Sequence, residues 1–418
     1  MNNPKIIVAH PGRQHSFRVA QALKESGLLF KYATTVYNKD SSILMRLTKL
    51  FLSEDNLARA KKRKCKGLSD EDVLQYCEFW ALLQLLVLRL DTTGIYQRKL
   101  SRWISCRFQK KLAKFIIHNN VDAVISYDTN SEVLIDELRR ANSKCKIIID
   151  NAHPNRHYLN RVYNEKLDKC GEFVKTLNGC GYILDEDHSK IFGRELRKAD
   201  YHIVASSFST KALEFEGISK DVVYKIPYGV DKDKFLDHKD SDDGLFRVLF
   251  VGEVNQRKGI HALLEAARKI NDPKVKFIVV GGGGSVCADV YKPYDKYVDF
   301  LGMVSYETLL DNLASSDCFL FPTMGEGFGL VLLEAQAAGL PAITTRNCAG
   351  ADIITEGVNG FLVDVEDEDA IIEKILYLKN NPIECARMRT ASINLARQYT
   401  WDKYNLAIVT AVKEILSK

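Results

Sequence analysis

At 418 residues the chain exceeds one ordinary core and calls for two or three domains. Apolar residues make up 46% and charged residues 27%, which excludes a disordered chain, a collagen-like repeat and a coiled coil. Fifty-nine Lys and Arg against 54 Asp and Glu leave a formal charge of +5, too small by itself to point to nucleic acid. Ten cysteines lie scattered without a CxxC pair, so neither a zinc site nor a disulfide frame is indicated. The opening MNNPKIIVAHPG is too poor in apolar residues for a signal-peptide core. The longest apolar run, Phe79 to Leu90, is broken by Gln84 and Arg89 and falls short of the roughly 20 residues a spanning helix needs. A reducing, cytoplasmic setting is the expectation.

Short apolar runs alternate with helix-length segments. In the first half they predict strands over Lys5–Ala9, Tyr32–Tyr37, Ala123–Tyr127, Lys146–Asp150, Tyr201–Ser206 and Val222–Ile226. In the second half they predict Arg247–Gly252, Lys276–Val280, Val298–Gly302, Cys318–Pro322, Pro341–Thr345 and Gly360–Val363. Apolar strands in this rhythm predict parallel sheets covered on both faces, hence two doubly wound α/β domains. The charged, apolar-poor DKDKFLDHKDSDDG run sets the seam near Asp231–Leu245. Residues 43–90 fit this scheme poorly: ILMRLTKLFL, the basic cluster Arg59–Lys66 and EFWALLQLLVLRL predict helices inserted after the second strand. One reading is a helical layer with a solvated basic face. The other is a peripheral membrane contact, lysines meeting anionic headgroups while apolar side chains dip in.

The chemistry concentrates in Met324–Thr345, MGEGFGLVLLEAQAAGLPAITT. A strand ends, a Gly-spaced loop follows, and a helix is predicted from about Gly329 to Ala338, stopped by Gly339. Glu326 falls on the loop and Glu334 inside the helix. The helix N-terminus offers free N–H groups to an anion, and Gly327 and Gly329 allow close backbone approach. An anion flanked by two carboxylates that accept from hydroxyls describes a sugar nucleotide.

The pattern E-G-F-G-L-x-x-x-E, followed by A-x-A-A-G-x-P, resembles the E-x7-E signature of the retaining family-4 glycosyltransferases of the GT-B fold. VLFVGEVNQRKGI is similar to that family's first donor-domain strand and loop, which puts Arg257 and Lys258 at the leaving diphosphate; Glu253 stands where Arg is frequent. Cations there stabilise charge that grows as the sugar–phosphate bond breaks. The resemblance further implies that Met303 and Val304 edge the nucleobase and that Glu334 accepts from the ribose hydroxyls. Glu326, with Gly327, Phe328, Gly329 and Leu330, is implied at sugar and phosphate. His153 after IIIDNAH is implied at the donor sugar and Gly12 at the phosphate; Arg13 and His15 are further cleft candidates, with Arg156 and His157 beside them. IPYGVDKDKF is similar to the family's interdomain linker, Tyr228 replacing the usual Asn, and Trp401–Leu416 to its closing helix.

These parallels imply an α/β, GT-B architecture, two Rossmann-like domains facing across a cleft, with the C-terminal helix crossing back. An acceptor-side domain is expected over 1–235, with a helical insertion around 43–115 and the returning helix 400–418, and a donor domain over 240–399. The implied activity is retaining transfer of a hexose-type sugar from a UDP- or GDP-sugar to a saccharide acceptor. The basic–apolar stretch tilts that acceptor toward a lipid-linked saccharide of a bacterial surface polysaccharide. Asp185/Asp187, Asp231/Asp233 and Asp367/Asp369 read as solvated or capping acids, so neither metal nor cofactor is expected. A sugar-nucleotide epimerase, a dehydrogenase and a non-catalytic two-lobed binding protein are the rivals; the missing G-x-G-x-x-G fingerprint disfavours the dehydrogenase.

Overall fold

The computed structural model describes residues 4–12, 15–42, 44, 60–90, 95–179, 193–235, 238–239, 243–283 and 287–418. Arg13, Arg59, Asp185 and Asp187, and most of 43–59, lie outside them. The first sheet comprises β1 (Ile6–Ala9), β2 (Leu29–Thr34), β3 (Val73–Gln75), β4 (Ala123–Tyr127), β5 (Lys146–Asn151), β6 (Tyr201–Val204) and β7 (Val223–Lys225). All pairings are parallel, in the order β3-β2-β1-β4-β5-β6-β7. The second sheet comprises β8 (Phe246–Val251), β9 (Val275–Val280), β10 (Val298–Gly302), β11 (Cys318–Phe321), β12 (Ala342–Thr345) and β13 (Gly360–Val363). It too is parallel, in the order β10-β9-β8-β11-β12-β13. Central strands such as IIVA and AVISY are buried throughout because helices cover both faces, which is why they read as unbroken apolar runs.

Strand order reverses between β1 and β4 in one sheet and between β8 and β11 in the other. Loops at such reversals splay apart and leave a crevice at the carboxyl ends of the strands. The segments following β1, β4, β8 and β11 carry Gly12, Asp128, Arg257 and Glu326 respectively.

Two expectations in the first domain shift. The second strand is Leu29–Thr34 rather than Tyr32–Tyr37. Val36 and Tyr37 are buried loop residues whose apolarity mimics a strand; the Tyr37 hydroxyl accepts from the Cys65 amide at 3.0 Å. In the stretch expected to be all helix, Val73–Gln75 forms an edge strand too short for its alternation to show. Helices do cover Glu78–Leu90 and Ile95–Asn119. In the described part of the basic cluster, Lys61, Lys62 and Lys66 are exposed, and Lys64 pairs with Asp40, as a solvated face requires.

The C-terminal helix Trp401–Ser417 packs on the first-domain helix Ser16–Glu25. The Arg18 guanidinium lies 3.9 Å from the Trp401 ring centre, and Lys146 Nζ donates to the Ile415 carbonyl at 2.6 Å. The linker crosses beneath the start of this helix, Val230 N–H donating to the Tyr399 carbonyl at 2.8 Å. Its glycine has a steric reason, since a Cβ on Gly229 would meet Trp401 N at 2.3 Å and the Thr400 carbonyl carbon at 2.4 Å. Gly229→Ala should therefore destabilise the protein by about 1–3 kcal/mol, the usual range for overpacking against backbone. Denaturant unfolding followed by circular dichroism checks this; an unchanged midpoint would remove the steric account.

Candidate functional site

On the second-domain side the chain leaves β8 at Gly252 and turns into a short 3-10 segment, Gln256–Lys258, whose cap Asn255 accepts from the Lys258 amide. Gly259 then takes φ +74°, and a Cβ there would sit 1.9 Å from the Pro322 carbonyl oxygen, so only glycine brings this turn so close to the loop after β11. Thr323 Oγ1 and the Met324 amide both donate to the Arg257 carbonyl, at 3.0 and 2.9 Å. The two loops are thereby stitched together, and Glu326 is brought onto Arg257 and Lys258. Its carboxylate pairs with Arg257 Nη1 and lies 2.7 Å from Lys258 Nζ; all three side chains are only 11–14% exposed. Glu253 sits 3.7 Å from Arg257 Nη2, a second carboxylate where a cation is frequent in the family resembled above. Sequence reasoning gave the cations and Glu326 separate tasks, whereas the structure joins them as one ion group.

Burial, reinforced by the Arg257 guanidinium, pushes the Lys258 ammonium down to about 7, with Glu253 opposing. Near neutral pH it is therefore only partly charged, and an added anion would raise its charge.

The helix after this loop runs Leu330–Ala337 from Gly329, which has φ +82°. Leu332, Leu333, Ala335, Gln336 and Ala337 are buried, while Leu330 and Glu334, four apart, share the open face. Burial raises the Glu334 carboxyl above its ordinary value. Met303, 83% exposed at the end of β10, with Val304 following, forms a shelf whose Met303 side chain lies over Gly282.

Two neighbouring assignments change. A Cβ on Gly327 would meet the Ala152 carbonyl oxygen at 2.2 Å, and its own carbonyl accepts from Ser206 Oγ at 2.5 Å and Ser209 Oγ at 3.1 Å. Gly327 thus seats the loop on the first domain. Phe328 is buried, its ring 5.2 Å from that of Tyr228, and belongs to the aromatic packing between the domains.

On the first-domain side, His153 follows β5 and lines a cavity of about 300 Å³ together with Asp128, Glu195, Arg156, Arg257 and Glu326. Burial, then the Arg257 and Arg156 charges, lower its pKa and keep the imidazole neutral. Burial, Glu195 and Asp150 push the Asp128 carboxyl up to about 7. Sequence reasoning passed over Asp128 and Glu195, although Asp128 directly follows a central strand, where cleft residues are expected. Gly12 is turned inward, its amide donating to His10 Nδ1 at 2.9 Å, and does not line this cavity. His15 bonds Asp150 at 2.8 Å, and its ring centre lies 5.0 Å from that of Tyr228. Burial alone would lower the His15 pKa, but the Asp150 charge and hydrogen bond raise it. His157 faces Glu216 at 2.8 Å rather than the cavity.

Of the acidic pairs, Asp367 caps the helix Glu368–Asn380 by accepting from the Ala370 amide at 3.0 Å, and Asp231 pairs with Lys234 at 3.1 Å. Among the described residues His261, Glu366 and Glu368 have the spacing of metal ligands. The Glu366 oxygens accept from Gln256 and pair with His261, both at 2.7 Å, so this group has its own internal bonding.

Among the described residues no helix is long and apolar enough to cross a membrane. Residues 231–395 match the family model described as "Glycosyl transferases group 1". The chain is 30% identical over 250 residues to a phosphatidyl-myo-inositol mannosyltransferase of Mycolicibacterium smegmatis, covering 57% of this chain and 62% of that relative. It is 26% identical over 253 residues to an uncharacterized glycosyltransferase of Methanocaldococcus jannaschii, covering 58% and 68%. The chain therefore spans less than two thirds of the mannosyltransferase's length. In fold it is similar to the lipopolysaccharide outer core galactosyltransferase WaaB (TM-score 0.66, 16% identity, 98% of this chain and 99% of that one). Anabaena Alr3699/HepE in complex with UDP-glucose gives a TM-score of 0.63 at 14% identity, with the same coverage. With two parallel-sheet Rossmann-like domains and these neighbours, the chain has the GT-B fold.

Proposed function

We propose that the protein is a glycosyltransferase that moves a hexose-type sugar from a UDP- or GDP-sugar to a saccharide acceptor, with retention at the anomeric carbon. The observation that carries this reading is the meeting of Glu326, Arg257 and Lys258 at the mouth between the two sheets, with Glu334 one helix face further on. An incoming diphosphate competes with Glu326 for the two cations, and the released carboxylate accepts from the donor sugar's hydroxyls. Glu334 accepts from the ribose, and Met303 and Val304 edge the base. In the transfer the bond from the anomeric carbon to the diphosphate oxygen breaks as the bond to the acceptor oxygen forms on the same face. The acceptor's proton passes to the departing phosphate. Arg257 and Lys258 stabilise the charge that develops there, in the place a metal would take, so no metal is needed. His153, neutral and in the cavity wall, stands beside the donor sugar.

The acceptor-side unit in this reading is 1–235 with 400–418, and the donor unit 240–399. The relatives' names, a mannosyltransferase acting on phosphatidyl-myo-inositol and a lipopolysaccharide galactosyltransferase, favour a lipid-linked saccharide in bacterial surface polysaccharide assembly. The exposed Phe79 and Trp80 in the basic–apolar stretch suit contact with the inner face of the plasma membrane.

Calorimetric titration with UDP, GDP and ADP in EDTA should show one nucleotide binding; binding of none by the folded protein would overturn the donor site, and activity lost in EDTA but restored by a divalent ion would overturn the metal-free reading. Glu334→Ala should weaken that nucleotide by about tenfold or more, the worth of a charge-assisted hydrogen bond. Glu326→Ala should bind the nucleotide at least as tightly as the wild type, because the carboxylate that competes for the cations is gone, while lowering turnover by about a hundredfold. Wild-type turnover in that variant would remove Glu326 from the site.

Lys258 adds a pH dependence with a definite sign. Its ammonium, held near 7 in the free protein, is raised by a bound diphosphate, so binding takes up a proton and affinity falls as pH rises through 7 toward 9. Lys258→Arg, charged throughout that range, should flatten the profile. An equally steep profile in the arginine variant would assign the titration elsewhere.

A further inference from the structure

The helix Ile95–Asn119 carries seven Lys or Arg and no Asp or Glu. Arg98, Ser101, Arg102, Ser105 and Gln109 follow one another at helical spacing and line a cavity of about 600 Å³. This cavity shares Thr129 and Glu195 with the cavity at Glu326 and Arg257, so the two are neighbours across one wall. Glu195 holds that wall in place, accepting from the Thr129 amide and from the Ser131 amide at 3.0 Å. The floor is equally fixed: Gln109 accepts from the Leu134 amide at 3.0 Å and donates to Ser105 at 3.0 Å, and Ser105 donates to Asn130 at 3.2 Å.

The carboxylates lining this cavity are already engaged, Glu195 with those amides and Glu132 with Lys198 at 3.3 Å. Arg98 and Arg102 are exposed, and among the described residues neither has an ion-pair partner. A second stripe of the same helix bears exposed Tyr96 and Trp103. Trp103 packs edge-on to Trp80 at 5.1 Å, Trp80 packs on Phe79 at 5.3 Å, and Arg107 lies 4.6 Å over Trp103. Two bidentate cations beside a polar cavity match a phosphate, and the exposed aromatic stripe that begins about 100° round the helix from Arg102 matches an apolar chain.

We propose that Arg98 and Arg102 form a phosphate subsite for the acceptor, which is an anionic amphiphile: a saccharide joined through phosphate to an apolar chain that lies along Trp80 and Trp103. Its sugar end passes Thr129 into the cavity at Glu326. The assignment to an acceptor rests on the transferase reading; the anion site itself does not.

Farnesyl phosphate, farnesol and inorganic phosphate serve as probes, with binding to the full chain read from tryptophan fluorescence. Farnesyl phosphate should bind at least about tenfold tighter than either farnesol or phosphate, and Arg98→Ser/Arg102→Ser should lower it to the affinity of farnesol. Arg98→Lys/Arg102→Lys, which keeps the charge but not the two-pronged contact, should fall between the wild type and the serine variant, and nucleotide affinity should be unchanged in both variants, which shows them folded. Equal binding of farnesyl phosphate by wild type and the serine variant would overturn the proposal, as would equal binding of farnesol. Arginine-dependent binding of inorganic phosphate as tight as that of farnesyl phosphate would overturn the amphiphile in favour of a small anion. If no nucleotide bound the wild type while farnesyl phosphate still did so through the arginines, the transferase reading would fall and the acceptor assignment with it, leaving the anion site.

Discussion

The cleft is defined by one close approach between the domains. Gly327 lies so near the Ala152 carbonyl that any side chain would part them, and two serine hydroxyls of the first domain fasten its own carbonyl. Because Glu326 immediately precedes Gly327 and His153 immediately follows Ala152, this contact fixes both at the same mouth. The glycine is therefore needed for domain-to-domain packing rather than for approach to a ligand. Gly325, whose Cβ would press on Leu159 at 2.6 Å, works in the same way two residues earlier. Small residues flank Glu326 because the loop bearing it is clamped from the first-domain side.

Electrostatics then decides what this mouth can hold. Two cations and one carboxylate buried together carry a net positive charge, and burial makes such charge costly unless it is paired. Glu253 sits at the rim, farther from Arg257 than Glu326 is. The group is thus open to a further anion, and burial with the Arg257 charge leaves Lys258 only partly charged near neutral pH. On the opposite wall Asp128, raised to about 7, carries only part of a negative charge at neutral pH. The cavity therefore repels an anion less than three fully ionised carboxylates would.

Sequence reasoning reached the second domain almost residue by residue, because its strands are continuous apolar runs and its loops are marked by glycines with steric duties. The boundaries of β10 and β13 were legible outright, as was the helix bearing Glu334. The first domain was less legible where tertiary burial imitates local pattern. Val36 and Tyr37 read as strand because a covering segment buries them, and β3 was hidden because three edge residues carry too little periodicity. Within the site, spacing showed which residues flank the loop but not that Arg257 and Lys258 would fold onto Glu326. That contact depends on Thr323 and Met324 holding the Arg257 carbonyl, a link between loops 66 and 67 residues apart in sequence. Phe328 and Gly327, placed at the ligand by the family resemblance of their loop, make packing contacts between the domains that spacing does not reveal.

The interface itself is chemically divided, and the division bears on how the cleft can move. Around the linker, Tyr228 packs against His15, Phe328, Trp401 and Tyr404, joining both domains and the returning helix in one buried aromatic group. Around the cavity the lining mixes charged groups with Leu159, Tyr163 and Leu196, and Leu159 and Tyr163 continue into a buried cluster with Phe208, Met324 and Val365 that also joins the domains. Separating either apolar group exposes apolar area, whereas parting polar groups exchanges their hydrogen bonds for bonds to water at small net cost. Opening the cleft therefore works against two apolar contacts, one at the linker and one beside the cavity, and the polar lining between them sets little of that cost.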